Sequence, residues 1–180
     1  MLDCATAAQR HVVYQLPTPP GLIRLSSAIE SDNIVNGPGL RTVIWTQGCF
    51  MACPGCQNPE TWDEYAGFMR STALIKNQLM HIKGQNGLTF CGGEPLLQAG
   101  PCLDIARWVK RRTEWTIWSF TGFVYEDLPR EGVVWDFVRT LDVLIDGPYV
   151  EAERDLGCKW RGSRNQRILH LRDGEIVAVE

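Results

Sequence analysis

Three cysteines fall within eight residues of the chain, at Cys49, Cys53 and Cys56, with the spacing Cys-x3-Cys-x2-Cys. A hydrophobic run at residues 42–46 leads directly into them. Glycines and prolines between the cysteines prevent a regular helix, so the chain can curl and direct three sulfur atoms at one centre. Thiolates are soft ligands that suit zinc, copper(I) or iron–sulfur clusters. The spacing therefore predicts a metal centre on a loop that follows a strand.

The number of cysteine ligands limits the kind of metal centre. Structural zinc sites and ferredoxin clusters generally take four protein ligands. The sequence contains neither a second cysteine pair nor two histidines at zinc-finger spacing. A [4Fe–4S] cluster held by three cysteines keeps one iron open for a substrate or cofactor. The triad alone leaves two interpretations open: such a cluster, or a zinc loop with a distant fourth ligand such as Cys91 or Cys158.

A second motif, Gly92-Gly93-Glu94-Pro95, follows a short hydrophobic segment at residues 88–90 that predicts a buried strand. Paired glycines at the end of a strand allow the backbone to approach a ligand closely. Glu94 offers a carboxylate to a cationic group such as an ammonium, and Pro95 suits the first turn of a helix. The same four residues also fit a simple tight turn, but their combination with the cysteine triad is more specific.

The two motifs together resemble those of the radical S-adenosylmethionine (SAM) enzymes. Further segments look like the activating enzymes of anaerobic (class III) ribonucleotide reductase, and the resemblance covers about residues 22–172. These segments are residues 36–41, 46–49, 53–56, 58–63, 121–123, 142–149 and 161–167. The cysteine triad marks the superfamily, whereas the last two segments indicate this branch of activases for glycyl-radical enzymes.

The resemblance implies that Cys49, Cys53 and Cys56 hold a [4Fe–4S] cluster whose fourth iron binds the amino and carboxylate groups of SAM. It also implies a reaction in which the reduced cluster cleaves SAM to methionine and a 5′-deoxyadenosyl radical. That radical would take a hydrogen atom from a glycine of a partner enzyme, which the branch identifies as anaerobic ribonucleotide reductase. The implied electron donor is a protein such as flavodoxin or ferredoxin.

The resemblance also assigns residues to the SAM site. Gly92, Gly93 and Glu94 match the family's motif for the methionine amino group, and Gly55 and Gln57 would line the adenosine side through backbone contacts. Many members of the superfamily have an aromatic residue where Gly55 stands. The reductase activases commonly have glycine there, so this residue favours the branch. No catalytic residue is assigned beyond the cluster.

Two other functions remain open at this stage. One is a small radical SAM enzyme that acts on a small molecule or peptide, of the 7-carboxy-7-deazaguanine synthase type. The other is a non-catalytic interaction module that holds zinc or a cluster. Hydrogen transfer from a partner glycine would separate the activase from the first, and metal analysis would separate it from the second.

Composition indicates one ordinary globular domain, since the 180 residues are 44% hydrophobic and 22% charged. The net charge of −3 gives no support for a nucleic-acid surface, and no apolar run reaches the length of a membrane span. Seven cysteines and the absence of signal-peptide features predict a cytoplasmic protein. Residues 1–20, which end in Pro17-Thr18-Pro19-Pro20, are predicted to be an extension, and residues 21–180 the radical SAM domain.

Strand and helix patterns alternate along the domain and predict βα units with a parallel sheet. The family resemblance implies a partial, open (β/α)6-type barrel, a single domain of the α/β class. The predicted elements are strands at residues 22–25, 40–46, 88–90, 115–120 and 143–145, helices at 71–83, 95–112 and 135–140, and a hairpin at 167–179. Asp32-Asn33 is predicted to be a turn. Asp146 fits either a site carboxylate or a turn cap, and residues 161–167 fit either a solvated loop or part of the site.

Overall fold

The computed structural model describes residues 15–180, so most of the predicted extension, residues 1–14, lies outside the described chain. The last residues of that extension contact the domain. Leu16 donates its backbone N–H to the carbonyl of Leu97 over 2.8 Å, and its side chain is buried. The domain boundary between residues 20 and 21 stays a prediction. Within the described range, no helix has the length and apolar character needed to cross a membrane.

One nine-stranded sheet organises the described chain, and three α-helices accompany it. The strands are β1 (Leu22–Leu25), β2 (Glu30–Asn33), β3 (Arg41–Thr46), β4 (Phe68–Ser71), β5 (Gly87–Gly92), β6 (Thr116–Phe120), β7 (Val143–Asp146), β8 (Arg167–Arg172) and β9 (Glu175–Val179). The helices are α1 (Thr72–His81), α2 (Ala99–Lys110) and α3 (Gly132–Val138).

The sheet has a parallel centre and antiparallel margins. Its order is β4-β1-β3-β5-β6-β7-β8-β9, and β2 pairs with β3 beside this path. Strands β3, β5, β6 and β7 are parallel, whereas the other pairings are antiparallel. The order ends in β4 and β9 without closing, which confirms the predicted open α/β fold. The carboxyl ends of the four parallel strands meet at one edge, where such sheets place their ligands.

The two faces of the sheet have separate cores. Alternate residues of β6 illustrate the division, because Ile117 joins the large cluster on the helical face and Trp118 joins a smaller cluster on the other. Beneath the smaller cluster lies Arg41, which is fully buried over the Trp118 ring and donates to Thr89 Oγ1 (2.6 Å) and Leu88 O (2.7 Å). Burial lowers the pKa of Arg41 to about 10. These hydrogen bonds satisfy a charge that is otherwise costly to bury.

Two strands were not predicted from the sequence. The turn signal at Asp32-Asn33 missed this strand, because both residues lie in β2, but Asp32 has a φ of 60° and Asn33 Oδ1 accepts from the N–H groups of Val35 and Asn36 in the turn that follows. Three of the four side chains of β2 are exposed and polar, so the strand shows no hydrophobic alternation and forms through pairing with β3. The second unpredicted strand, β4, is an equally short edge strand that pairs with β1.

The helix predicted from residue 95 to residue 112 is divided in the structure. Residues 95–98 form a 3-10 turn, and α2 begins at Ala99. The interruption lies at Gln98, whose φ of −124° and ψ of 38° are not helical. Its side chain accepts from Arg24 N (2.8 Å) and donates to Arg24 O and Gln47 O (both 2.9 Å). These long-range hydrogen bonds hold Gln98 outside the helical conformation and attach α2 to the sheet.

Candidate active site

Hydrogen bonds join the two ends of the cysteine loop. At its start, Gly48 donates its backbone N–H to Thr61 O (2.8 Å) and Cys49 donates to Trp62 O (3.0 Å). These two hydrogen bonds join the end of β3 to the chain that leaves the loop. The segment between them is therefore closed, as the glycine- and proline-rich sequence predicts.

Inside the loop the chain reverses through left-handed backbone conformations. Ala52 has a φ of 45° and Gly55 a φ of 73°. The Cys56 N–H donates to Cys53 O (3.0 Å), and the Cys56 sulfur accepts from the Asn58 N–H (3.4 Å). Glycine adopts such a conformation at little cost, whereas Ala52 is held in it by the closed loop. The result is a compact coil that carries the cysteines.

The Gly-Gly-Glu-Pro segment is attached directly to this coil. The Gly93 N–H donates to Thr46 O (2.8 Å), and the Glu94 N–H donates to Gly48 O (2.9 Å). A Cβ atom on Gly93 would lie only 2.5 Å from Gly48 O, so no other residue fits this contact without movement of the backbone. The two sequence motifs therefore form one structural unit at the carboxyl ends of β3 and β5.

A cavity of about 600 Å³ opens beside this unit. Its volume falls within the range of small-molecule sites in proteins. Seven predicted site residues line it: Cys49, Cys53, Cys56, Gln57, Gly92, Gly93 and Glu94. The cavity therefore brings together the predicted cluster ligands and the predicted contacts of the methionine amino group.

Of the two residues predicted to lie beside adenosine, only Gln57 lines the cavity. Its side chain lies near Gly162, which belongs to the segment between β7 and β8. Gly55 lies outside the lining, and a Cβ atom there would be 2.6 Å from the Glu151 carboxylate carbon. Glycine suits position 55 because of its left-handed φ of 73°, whereas the exposed Glu151 side chain beside it can move. The roles of both residues toward adenosine stay predictions.

Glu94 is a buried carboxylate with most of its hydrogen-bonding capacity used. It is 1% exposed, and it accepts from Leu96 N (2.9 Å), Gly122 N (2.8 Å) and Thr121 Oγ1 (3.0 Å). Burial raises the pKa of Glu94 to about 7, although these three hydrogen bonds act in the opposite direction. A carboxylate held in this way gains stability from a positively charged or donating ligand in the cavity.

The thiols of the cavity are also affected by burial. Burial raises the pKa of Cys49, and the nearby Glu94 carboxylate raises it further. Burial likewise raises the pKa of Cys91, which lines the same cavity, to about 12. The thiolate form at Cys49 therefore needs a neighbouring cation, and iron binding supplies one while releasing the proton.

The residues present fit a sulfur-ligated cluster and a polar ligand. Three thiols face one cavity, and thiolates are the ligands of iron–sulfur clusters. Three buried polar atoms of lining residues, Asn36 Oδ1, Trp62 Nε1 and Arg161 Nε, have no hydrogen-bond partner in residues 15–180. They leave one acceptor and two donors for a bound molecule. In the same described range, no three His, Cys, Asp or Glu side chains are grouped to hold a single metal ion.

Asp146 connects neighbouring elements of the fold through hydrogen bonds and an ion pair. Its carboxylate is 1% exposed, accepts from Tyr125 N (2.9 Å) and pairs with Arg167, whose Nε lies 2.9 Å from Asp146 Oδ1. Arg167 also donates to Glu126 over 2.7 and 3.0 Å. The pair joins the ends of β7 and β8 to the loop that follows β6, and this loop carries the donors to Glu94. Asp146 does not line the cavity, and its carboxylate binds Tyr125 and Arg167 rather than the turn at Gly147-Pro148, so these contacts match neither predicted role.

The sequence indicated Thr121-Gly122 as a site motif after a strand, but not its hydrogen bonds to Glu94. It also did not indicate Asn36, Trp62 and Arg161 as the residues that carry the unpartnered atoms of the cavity. Each belongs to a segment that resembles the activases, and Thr121-Gly122 follows a predicted strand. Their individual contacts are long-range, however, so no local pattern could assign them.

Comparisons with known proteins agree with this geometry. A protein family described as a 4Fe-4S single cluster domain matches residues 35–169. The anaerobic ribonucleoside-triphosphate reductase-activating protein of Enterobacteria phage T4 is 36% identical over 149 residues, covering 79% of this chain and 91% of that protein. Proteins of the same name are 37% identical in Escherichia coli K12 (78% and 94% covered) and 32% identical in Haemophilus influenzae (77% and 92%).

The chain belongs to the anaerobic ribonucleoside-triphosphate reductase-activating proteins. This membership confirms the predicted family of radical SAM activases and its two cofactors, a [4Fe–4S] cluster and SAM. The activating proteins of the phage and of the two bacteria are matched over nine tenths of their length, so the chain spans almost the whole of each relative. The small-molecule and zinc-module alternatives are not favoured.

Proposed function

We propose that this protein uses a [4Fe–4S] cluster and SAM to remove a hydrogen atom from a glycine of anaerobic ribonucleoside-triphosphate reductase, leaving a glycyl radical. The observation that carries the proposal is the single cavity that joins the cysteine triad to the Gly-Gly-Glu segment. A thiol-ligated metal centre and a carboxylate for an amino group are the two features that SAM chelation requires. Family membership supplies the identity of the partner.

The cluster ligands in this proposal are Cys49, Cys53 and Cys56. When bound and reduced, the cluster supplies the electron that cleaves the sulfonium bond of SAM to methionine and a 5′-deoxyadenosyl radical. The hydrogen bonds at Gly48 and Cys49 close the backbone of the loop that carries the three cysteines before metal binds. This arrangement reduces the ordering that accompanies cluster assembly.

The Gly-Gly-Glu segment positions SAM in this proposal. Gly92 and Gly93 let the backbone lie against the start of the cysteine loop, and Glu94 accepts from the amino group of the methionine moiety. Thr121 and Gly122, at the carboxyl end of the neighbouring parallel strand β6, orient the Glu94 carboxylate. Gln57, on the rim of the cysteine coil, faces the adenosine. These residues bind and orient, while the bound cluster and SAM provide the reactivity.

The electron donor is a second partner. We assign this role to a small one-electron carrier such as flavodoxin or ferredoxin, because the reaction consumes one electron for each SAM cleaved. A reducing compartment, and so the cytoplasm, suits a chain with three ligand thiols and four other cysteines. Assay of SAM cleavage with each purified carrier identifies the donor.

A Gly93→Ala substitution tests the contact between the two motifs. The new Cβ would lie 2.5 Å from Gly48 O and 3.0 Å from Gly48 N, so the start of the cysteine loop must move. We expect 5′-deoxyadenosine formation to fall about 100-fold, since displacements near 1 Å can have that effect. The matched control is Gly100→Ala in α2, where the nearest atom is 3.9 Å away. That variant should keep its activity, and equal activity of the two variants would contradict the proposed contact.

The deciding experiment for the proposal follows the hydrogen atom. The protein is reconstituted anaerobically with iron and sulfide, reduced, and mixed with SAM and a reductase labelled with deuterium at glycine Cα. We expect deuterium in the 5′-deoxyadenosine and a glycyl-radical signal in the electron paramagnetic resonance spectrum. Cleavage of SAM without deuterium transfer would favour a small-molecule radical SAM enzyme. One bound zinc and no cleavage would favour the interaction module.

A further inference from the structure

Two exposed apolar side chains lie at the mouth of the active-site cavity. Val35 is 67% exposed and Leu156 is 87% exposed, yet both line the cavity. Ile34, next to Val35, is 68% exposed. We call these three residues the apolar rim. Other exposed apolar residues, such as Leu74 on α1, do not line the cavity. Exposed apolar groups that border a reaction cavity indicate a binding surface.

The backbone around the rim is fixed by local hydrogen bonds. In the turn that carries Val35, Asn33 Oδ1 accepts from the N–H groups of Val35 (3.0 Å) and Asn36 (2.9 Å). Asn33 itself is buried, so this turn is anchored in the domain. The turn that follows β2 therefore holds Val35 in its exposed position.

The turn that carries Leu156 is also fixed by a local hydrogen bond. Asp155 Oδ1 accepts from the Gly157 N–H (2.8 Å), which holds Leu156 at the tip of a turn. The segment that carries this turn is closed by a bridge between Arg154 and Ser163, both in the chain between β7 and β8. Leu156 is thus presented to solvent by an ordered segment, and like Val35 it lines the cavity.

The molecule that contacts the apolar rim is identified from the proposed function, on which this inference rests. A glycine in a protein chain can reach the cavity only if the residues on both sides of it cross the mouth. The thiols and Glu94 lie inside, with Cys53 and Glu94 buried, so the glycine must pass the rim to approach bound SAM. Residues flanking the glycine then contact Val35 and Leu156. A small-molecule substrate would leave both side chains exposed.

We propose that the apolar rim binds the glycine-bearing segment of the reductase in an extended conformation, through apolar side chains that flank the glycine. Val35 and Leu156, which line the cavity, contact the segment, together with Ile34 next to Val35. Burial of these side chains on binding is favourable because they are exposed in the free protein. The rim determines the affinity for the segment, while the cluster and SAM site determine the rate of hydrogen transfer.

The test uses Val35→Ser, Leu156→Ser and the double variant, with Leu74→Ser as the matched control. Glycyl-radical formation is measured against reductase concentration, and 5′-deoxyadenosine formation without reductase is measured for each variant. We expect the half-saturating reductase concentration to rise about tenfold for each single variant and more for the double one. The rate at saturating reductase should stay close to that of the unmodified protein, and Leu74→Ser should change neither quantity.

Three results would overturn the rim proposal. The first is an unchanged half-saturating concentration in the double variant. The second is a loss of SAM cleavage without reductase in that variant, because the side chains would then serve the SAM site. The third is an equal shift in Leu74→Ser, which would indicate a general effect of surface polarity. Absence of SAM cleavage in the unmodified protein would instead overturn the proposed function.

Discussion

Replacing Cys53 by alanine is expected to abolish SAM cleavage. In the proposed site each of the three thiolates binds a different iron, so removal of one leaves two protein ligands for the cluster. Changes around a metal site often lower affinity or activity 10- to 100-fold even when the ligands remain. Loss of a ligand should therefore reduce 5′-deoxyadenosine formation by more than about 100-fold, together with iron and sulfide content. Metal analysis and chromatography of the products measure both quantities.

The control for Cys53→Ala is Cys102→Ala. Cys102 is fully buried in α2 and belongs to the large core, so its replacement removes a thiol without touching the cavity. This variant should lose about 1 kcal/mol of stability and keep its cluster. Retention of a normal cluster in Cys53→Ala would show that another residue supplies the third ligand. Cys91, the other buried cysteine of the cavity lining, would be the first candidate.

The parallel centre of the fold was predictable because its signals are local. Four buried strands are short runs of β-branched and aromatic residues, and each is followed by glycine or a turn. The start of α1 is marked by Ser71, whose hydroxyl accepts from the Ala73 N–H (3.2 Å). Asp173-Gly174 connects β8 to β9 as predicted. In each case a few neighbouring residues determine the backbone conformation.

The edges of the sheet were harder to predict because pairing forms them. Strand β2 is polar, and its residue Asp32 has a φ of 60°, which is typical of a turn. Its hydrogen bonds to β3 come from a tertiary contact. The break before α2 has a similar origin, since Gln98 is held by the backbone of Arg24 and Gln47. Such contacts leave no periodic pattern in the sequence.

The site shows the same division between local motif and long-range contact. The cysteine spacing and Gly-Gly-Glu-Pro were sufficient to predict the cluster ligands and the carboxylate. Two of the three donors to that carboxylate come from the loop after β6, and Asp146 binds the same loop at Tyr125 and pairs with Arg167. Asp146 could not be interpreted from the sequence alone, because its hydrogen-bond partners Tyr125 and Arg167 each lie 21 residues away.

Affinity for SAM is expected to depend on pH through Glu94. Burial raises the pKa of Glu94 from its usual value of 4.5 to about 7, so the folded protein holds this proton over a pH range in which the unfolded chain has lost it. The contribution of this group to stability is therefore present below pH 4.5 and is lost as the pH rises through about 7. Binding of SAM has the opposite dependence, because the amino group needs the ionised carboxylate as an acceptor.

A Glu94→Gln substitution tests this effect by removing the titrating charge, and its NH2 group also replaces one of the two oxygens that accept from Leu96 N, Thr121 Oγ1 and Gly122 N. Titration of SAM into the reconstituted protein should show an affinity that rises as the pH approaches 7 and levels off above it. The glutamine variant should bind about 10- to 100-fold more weakly above pH 7, as expected for loss of a hydrogen bond to a charged group. The amino group of SAM titrates in both proteins, so the difference between the two pH profiles reports Glu94. Parallel profiles would show that the Glu94 carboxylate does not receive the amino group, and the Gly-Gly-Glu segment would then act through its backbone alone.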